Sequence, residues 1–345
     1  MVMPNDESAR ARFASALDQN FSVVASAGSG KTTAIVQRIL SIARSPNAVD
    51  ILPRLVVVTF TNRAADELQQ RARQILLQEN RKPEVQAAFN RAFFGTIHAF
   101  CMKLLTDFGH YLGLPAPLET LEENDDADLW QQFVQSHDKI GHSLGEKNRA
   151  TLLRLVQARD LMELGRRAGS AVLCADELPP CPALDFVDIY AVPDNGNRNI
   201  SLSQAELREW EKRFDEGWEF LRWPMYFTSD NSNFTRRWRE KFSPFRKWIN
   251  AAATCVAAEV QRDYRDFRLE RGLVTYADQV ALAKELLQHP VAAQHIRENN
   301  LRVILDEAQD TAPAQFSVLL EAARPAVATG EWLQSRESAP PAGHF

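Results

Sequence analysis

The amino-acid sequence predicts an α/β fold: a parallel sheet carrying a phosphate-binding loop, interrupted by a large, mostly helical insertion. Three observations predict it. A glycine loop, Ala25-Ser26-Ala27-Gly28-Ser29-Gly30-Lys31-Thr32-Thr33, sits between a short apolar run and a helix-spaced apolar series. Strand-like and helix-like segments then alternate as far as Phe108, the pattern of a doubly wound sheet. The alternation lapses near Pro115 and returns at Leu301–Leu305, a strand that ends in two acids.

Taken in order, residues 7–17 predict a lead-in helix, and Phe21-Ser22-Val23-Val24 reads as the strand before the loop. Ile35, Val36, Ile39 and Leu40 share one face of the helix after it. The loop fits G-x-x-x-x-G-K-[ST] with Ala25 replacing the first glycine. Gly28 and Gly30 allow backbone geometry that a Cβ would obstruct. Backbone N–H groups and the helix N-terminus can then cradle an anion. Lys31 would reach the β- and γ-phosphates of a nucleotide, and the Thr32 hydroxyl would bind Mg²⁺. An ordinary Gly/Ser turn is the alternative, but it does not need Lys-Thr at the start of a helix.

Leu55–Phe60 reads as a strand buried on both faces, followed by a helix from Thr61 with Ala64, Ala65, Leu68, Ala72, Ile75 and Leu76 on its apolar face. Phe93–Ile97 is a third strand, leading into a helix over 98–108. Leu118–Trp130 then carries six acidic residues and no basic one, and the pattern stays helical to about residue 298. Six of the seven tryptophans fall in this stretch, whose loops are marked by Pro179-Pro180-Cys181-Pro182 and Asp194-Asn195-Gly196-Asn197. Domain boundaries are therefore expected at 1–108, 109–298 and 299–335, with a disordered tail over 336–345.

The net charge of −5 provides no global basic field, so any nucleic-acid site must be local. Four scattered cysteines, Cys101, Cys174, Cys181 and Cys255, suggest neither a zinc site nor a disulfide framework, and point to a reducing cytoplasm. The N-terminal stretch lacks a signal-peptide core, and no apolar run approaches the roughly 18–20 residues of a membrane span.

The acids Asp306 and Glu307, in Asp306-Glu307-Ala308-Gln309-Asp310, suit the second half of a nucleotide-hydrolysing site. Asp306 would hold Mg²⁺, and Glu307 would orient and deprotonate the attacking water. Read alone they could equally cap a helix. At this point the chain resembles the superfamily 1 DNA helicases of the UvrD/Rep type, in wording closest to the AddA/RecB branch. The matching blocks are Ala25–Thr33, Val58–Leu68, Gly95–Cys101 and Val303–Gln315, with a fainter echo at Gly272–Asp278. The resemblance implies a RecA-like P-loop NTPase domain, 1A, split around a helical domain 1B. It implies ATP and Mg²⁺ as cofactors, single-stranded DNA or a duplex junction as partner, and a second subunit of an AddAB/RecBCD-like complex.

The family's pattern assigns DNA contacts to Thr59, Phe60, Thr61 and Asn62, whose other reading is strand-end packing and a helix cap. Thr96 and His98 would link DNA to nucleotide, although a lone histidine beside Phe100 also suits a core. Gln309 and Asp310 would continue the nucleotide network. Within 1B, residues 231–250 hold six basic residues and one acidic, a net of +5, interleaved with aromatics. Arg236 and Trp238 are the DNA-binding candidates there; an amphipathic helix with its aromatics in the core is the competing reading.

Three departures from the family matter. Arg10 occupies the place, about twenty residues before the lysine, where a glutamine often reads adenine. Gly330-Glu331-Trp332-Leu333-Gln334-Ser335 resembles the γ-phosphate-sensing motif III, with Gln334 as sensor, but the continuation Arg336–Phe345 suggests a frame change or truncation. The family's second motor domain and its arginines, and the nuclease domain of AddA-like proteins, are not found. An arginine finger contributes about 10³–10⁵ in turnover. The expected function is therefore ATP-dependent 3′–5′ DNA unwinding in recombination or repair, present as an N-terminal portion; the alternative is a non-catalytic ATP- and DNA-binding fragment. An unrelated P-loop kinase would need neither Thr-Phe-Thr-Asn nor Asp-Glu-Ala-Gln-Asp.

Overall fold

A computed structural model describes residues 6–25, 28–79, 81–167, 177–224, 233–330, 332 and 339–345. Its principal elements are α1 (Asp6–Ser15), α2 (Lys31–Arg44), β1 (Leu55–Thr59), α3 (Asn62–Gln78), β2 (Phe93–Thr96), α4 (Ile97–Phe108) and β3 (Glu119–Thr120). There follow the helices α5 (Glu123–Ser136), α6 (Arg198–Asp215) and α7 (Asn233–Leu269). The chain returns with β4 (Leu273–Val274), α8 (Tyr276–Gln288), α9 (Pro290–Glu298), β5 (Arg302–Leu305) and α10 (Pro313–Ala322).

Two compact units result: Met1–Glu122 with Leu269–Phe345, and Glu123–Arg268. The second unit lies within the 109–298 expected for a helical insertion. The reason is tertiary pairing. Glu119 and Thr120 lie parallel to Leu273 and Val274, which keeps both of these segments in the first unit. Gln279 Nε2 adds a hydrogen bond to Thr120 Oγ1 at 2.9 Å.

In the first unit the sheet order is β2-β1-β5, all parallel, with Val57 opposite both Phe94 and Ile304. Alternation along β1 serves both faces at once. Val56 and Val58 join Val303, Phe100, Leu104, Leu282, Leu286 and Leu319 in one core; Leu55 and Val57 join Ile39, Leu40, Leu68 and Phe89 in the other. Each such fully buried aliphatic side chain stabilises the fold by about 1.5–3 kcal/mol. Arg38 of α2 is buried and donates to the carbonyls of Phe13, Ala16 and Gln19, which fixes the lead-in against α2. A buried triad fixes the far side of the unit. Glu321 Oε2 accepts from Arg297 at 2.7 Å and from Arg324 at 2.5 Å, and Oε1 accepts from the Trp332 N–H at 2.9 Å. Arg297 and Arg324 also bond the carbonyls of Ala328, Thr329 and Gly330, so the triad holds that loop.

Two expectations are corrected here. Phe21–Val24 forms no sheet ladder, and Val23 and Val24 are 55% and 98% exposed. One side of β5 is taken by β1; on the other, the Val303 N–H donates to the His344 carbonyl at 2.8 Å. The segment before the loop is left without a sheet edge, and the Phe21 N–H donates to the Phe345 carbonyl instead. The second correction follows from the same contacts. Residues 339–345 were expected in a disordered tail, yet His344 is 7% exposed and Phe345 packs on Phe316 with ring centroids 5.5 Å apart. Asn20 Oδ1 accepts from the N–H groups of His344 and Phe345, both at 3.0 Å.

The second unit is helical. Phe234, Trp238, Phe242, Phe245 and Trp248 recur along α7 at helical spacing and are all buried. Buried Glu259 accepts from the N–H groups of Gly141, His142 and Ser143, closing that turn onto the helix. Among the described residues no helix is long and apolar enough to cross a membrane.

Candidate functional site

The loop delivers Lys31 as the first residue of α2. Gly30 precedes it with φ 83° and Gly28 has φ 74°, both in the left-handed region that a Cβ disfavours. At Gly30 a Cβ would also meet the Arg10 guanidinium at 3.1 Å. Arg10 in turn donates to the Ser29 carbonyl at 2.5 Å, so α1 braces the loop from outside. Among the described residues no side chain caps α2, which leaves its first-turn N–H groups for an anion. Ser29 Oγ is buried with no hydrogen-bond partner among the described residues. Open amides, an orphaned hydroxyl and a lysine together fit a nucleotide's phosphates. Ser26 and Ala27, also expected to bind nucleotide, lie outside the described residues, as does Gln334.

β5 brings the acids to this loop. The Asp306 N–H donates to the Val58 carbonyl at 2.9 Å, extending the ladder one residue. Glu307 then turns with φ 53°, a left-handed conformation unusual for a residue with a Cβ. Its Oε2 accepts from Lys31 Nζ at 3.0 Å and from Gln309 Nε2 at 2.5 Å. Those two hydrogen bonds, Gln309 first, hold the Glu307 carboxyl below the usual range. Burial pushes Asp306 the other way, above its ordinary value. A cation near Asp306 would relieve that desolvation, and Thr32 follows Lys31 at the same helix start, so this pair fits Mg²⁺ together with phosphate oxygens. Asp310 is tied in through Gln309 Nε2, 3.1 Å from Asp310 Oδ2.

The same carboxyl edge of the sheet presents the other candidates. Thr59 and Thr96 face each other across β1 and β2. Phe60 is 70% exposed. Thr61 Oγ1 accepts from the Ala64 N–H at 3.2 Å and Thr96 Oγ1 from the Ala99 N–H at 3.3 Å, capping α3 and α4. Asn62 is exposed as the first residue of α3. Thr59, expected as a DNA contact, is 3% exposed and its hydroxyl donates to the Thr61 carbonyl at 2.8 Å, which shapes the turn. His98 is partly buried, and that burial lowers its pKa. Its Nε2 lies 3.5 Å from Gln315 Nε2, while Gln315 Oε1 accepts the Ala312 N–H at the start of α10.

In the second unit, Arg236 is exposed on α7, near Asn233 and Glu240. Trp238, like Thr59, is an expected DNA contact that the structure buries. It is 4% exposed and packs against Phe234 and Phe242, with centroids 5.7 and 5.0 Å away. A ring enclosed on that stripe cannot serve as a base platform, so the core reading of the basic-aromatic stretch holds for its aromatics.

Sequence reasoning missed the contacts of Arg10 with the loop and of Gln315 with His98. It also missed the exposed Tyr276, whose ring sits edge-on to His98 at 5.1 Å. One signal was legible: Thr275-x-x-Asp278 is a capping pattern that places Tyr276 first in a helix.

A glycine loop opening a helix at a lysine, faced by acids at the end of a parallel strand, defines a P-loop nucleotide-binding domain. The chain belongs to the UvrD/REP helicase family: the family's N-terminal domain model matches residues 5–326. It is similar to an ATP-dependent helicase/nuclease subunit of Desulforamulus reducens, 37% identical over 113 residues, 31% of this chain and 9% of that protein. The protein of the same name from Natranaerobius thermophilus is 32% identical over 142 residues, covering 38% of this chain and 11% of the relative. That from Pelotomaculum thermopropionicum is 38% identical over 112 residues, 30% and 9% respectively. The chain thus matches about a tenth of the length of these relatives.

Proposed function

We propose that this chain provides the nucleotide-binding core and a single-stranded DNA surface of an ATP-dependent 3′–5′ DNA helicase of recombination or repair. The observation that carries the reading is the meeting of Lys31 with Glu307 at 3.0 Å, on the sheet edge that also exposes Phe60, Thr61 and Asn62. In this reading Lys31 and the α2 amides hold the β- and γ-phosphates. Mg²⁺, held between Thr32 and Asp306, would shield phosphate charge. Glu307 accepts a proton from the water that attacks the γ-phosphorus, as the bond to the leaving ADP oxygen breaks. Gln309 keeps that carboxylate oriented, and Gln334 would sense the γ-phosphate. Thr61, Asn62 and Thr96 contact DNA phosphates, Phe60 a base, and His98 relays between the two sites. Arg236 and the neighbouring basic residues of α7 add a cationic face for the strand or a duplex junction.

Because the relatives are named as subunits of a helicase/nuclease, a second subunit belongs to the same reading, as does the cytoplasmic setting that the four scattered cysteines suggest. A second reading is a chain that binds ATP and DNA without turning ATP over. ATP turnover with and without single-stranded DNA, for this chain and Lys31→Ala, separates the two. Turnover stimulated by DNA and abolished by Lys31→Ala supports the motor. Nucleotide binding with no turnover supports the binder, and absence of any nucleotide binding refutes both.

A further inference from the structure

Six basic residues stand between positions 231 and 250, and their surroundings divide them into two sets. Arg236 lies 4.0 Å from Glu240, Lys241 lies 3.4 Å from Asp188, and Arg237 donates to the Asp188 carbonyl at 2.7 Å. The other three, Arg239, Arg246 and Lys247, are exposed and have no carboxylate partner among the described residues. These same three line one cavity of about 680 Å³ in the second unit, together with Trp223, Trp238 and Phe242. Helical spacing accounts for the grouping. Arg239, Ser243 and Lys247 are four residues apart and Arg246 is seven beyond Arg239, so they form one stripe of α7. Phe245 and Trp248 take the buried side.

Trp223 shapes the cavity from beyond the helix. Its ring meets Phe242 and Phe245 edge-on, with centroids 6.1 and 5.9 Å away and planes at 79° and 69°. The Arg246 guanidinium lies over that ring, 5.6 Å from its centroid. A guanidinium laid on an indole is held in orientation, while the N–H donors in its own plane remain for an oxyanion. Trp238 and Phe242, each 4% exposed, give the cavity only a sliver of apolar surface. Three gathered cations without carboxylates repel one another until an anion joins them. Inorganic phosphate would leave most of this volume empty, since sites for organic ligands span roughly 300–1,000 Å³. Apolar lining beside a cationic rim fits an anion that carries a flat organic group.

We propose that this cavity binds a phosphorylated nucleotide, its phosphate held by Arg239, Arg246 and Lys247 and its base at the Trp223 wall. A free mononucleotide and the 5′-phosphorylated end of a DNA strand share that chemistry. The strand-end form narrows the cationic face assigned above to α7 and rests on that reading; the free-nucleotide form does not.

The test is titration calorimetry of the full chain carrying Lys31→Ala, which removes the lysine of the glycine loop as a competing phosphate site. The probes are thymidine 5′-monophosphate, a 5′-phosphorylated oligothymidylate and the same oligothymidylate without that phosphate. Arg246→Ala should weaken binding of the phosphorylated probes by about 10- to 100-fold, the range for a lost hydrogen bond to a charged group. Arg246→Lys should recover only part of it, because lysine keeps the charge and loses the fork. Arg159→Ala removes an exposed cation elsewhere in the second unit and should change nothing. Tighter binding of the phosphorylated strand than of the monophosphate assigns the site to strand ends, and the reverse assigns it to free nucleotide. Pyrophosphate or a polyglutamate peptide binding as tightly as the monophosphate overturns the proposal, since charge alone would then suffice. So does an Arg246→Ala variant of unchanged affinity. Equal affinity for the two strands, with the monophosphate unbound, keeps DNA on α7 and refutes only the pocket. Monophosphate binding with neither strand bound keeps the pocket and removes the DNA reading.

Discussion

Lys31 cannot serve Glu307 and a nucleotide equally, and that competition can be measured. Lys31 Nζ lies 3.0 Å from Glu307 Oε2, with side chains 28% and 36% exposed. Phosphates draw the ammonium toward themselves, so the pair loosens as nucleotide binds. An ion pair this open to solvent contributes about 0.2–1 kcal/mol. Glu307→Gln removes the competing charge and keeps the side chain's size and hydrogen-bonding capacity. Nucleotide Kd should fall by about 2- to 5-fold at low salt. Any turnover should drop by about 10²–10⁴, because the carboxylate that accepts the proton is gone. Titration with a fluorescent ATP analogue reads the first quantity and phosphate release the second. The gain in affinity should shrink at about 0.15 M salt, where surface charges are screened. It should shrink again in a Lys31→Ala background, which has no lysine to free. Equal or weaker binding by Glu307→Gln at low salt, or the same gain without Lys31, would refute the competition.

The remaining predictions concern the frame around the site. Glu321→Ala strips the shared acceptor from two buried guanidiniums and should destabilise the first unit by about 3–5 kcal/mol in urea unfolding; a change below about 1 kcal/mol would show that the backbone carbonyls alone hold Arg297 and Arg324. Trp238→Ala should destabilise the second unit by about 3–5 kcal/mol, as large-to-small core substitutions do. Arg236→Ala, at an exposed position, should leave its melting temperature nearly unchanged and only lower the salt slope of DNA binding. A Trp238→Ala variant of wild-type stability that binds DNA more weakly would return that ring to the DNA surface.

Local signals carried most of the first unit. β1, β2 and the helices after them could be read because a short apolar run such as Leu55–Val58, or an apolar stripe at helical spacing, depends on neighbours in sequence. Lys31 and Glu307 were legible as a pair for another reason: each motif spells half of one chemistry. What failed depended on distant partners. Phe21–Val24 has strand composition, but a strand also needs an edge, and His344 holds the edge of β5. The ends of the helical unit were misplaced because Glu119-Thr120 and Leu273-Val274 are two-residue strands, meaningless until paired. Trp238 was open to two readings because an amphipathic helix does not announce which face is covered. The spacing of Phe234, Trp238, Phe242 and Phe245 was the better guide.

Thr61 was read from the sequence as either a helix cap or a DNA contact, and Thr96 as a link between DNA and nucleotide; both cap helices. Under the proposed function one group would serve both purposes. Each hydroxyl oxygen accepts an amide from the turn ahead of it, and a hydroxyl that accepts still has its own proton to give. Fixing the oxygen limits where that proton can point, so the cap pre-orients a donor before any strand arrives. Serine would keep both halves, valine would keep the shape and lose both, and asparagine would keep the cap while changing the reach of the donor. Substitution series at these positions therefore measure stability and recognition together, and thermal melts must accompany every binding curve if the two are to be told apart.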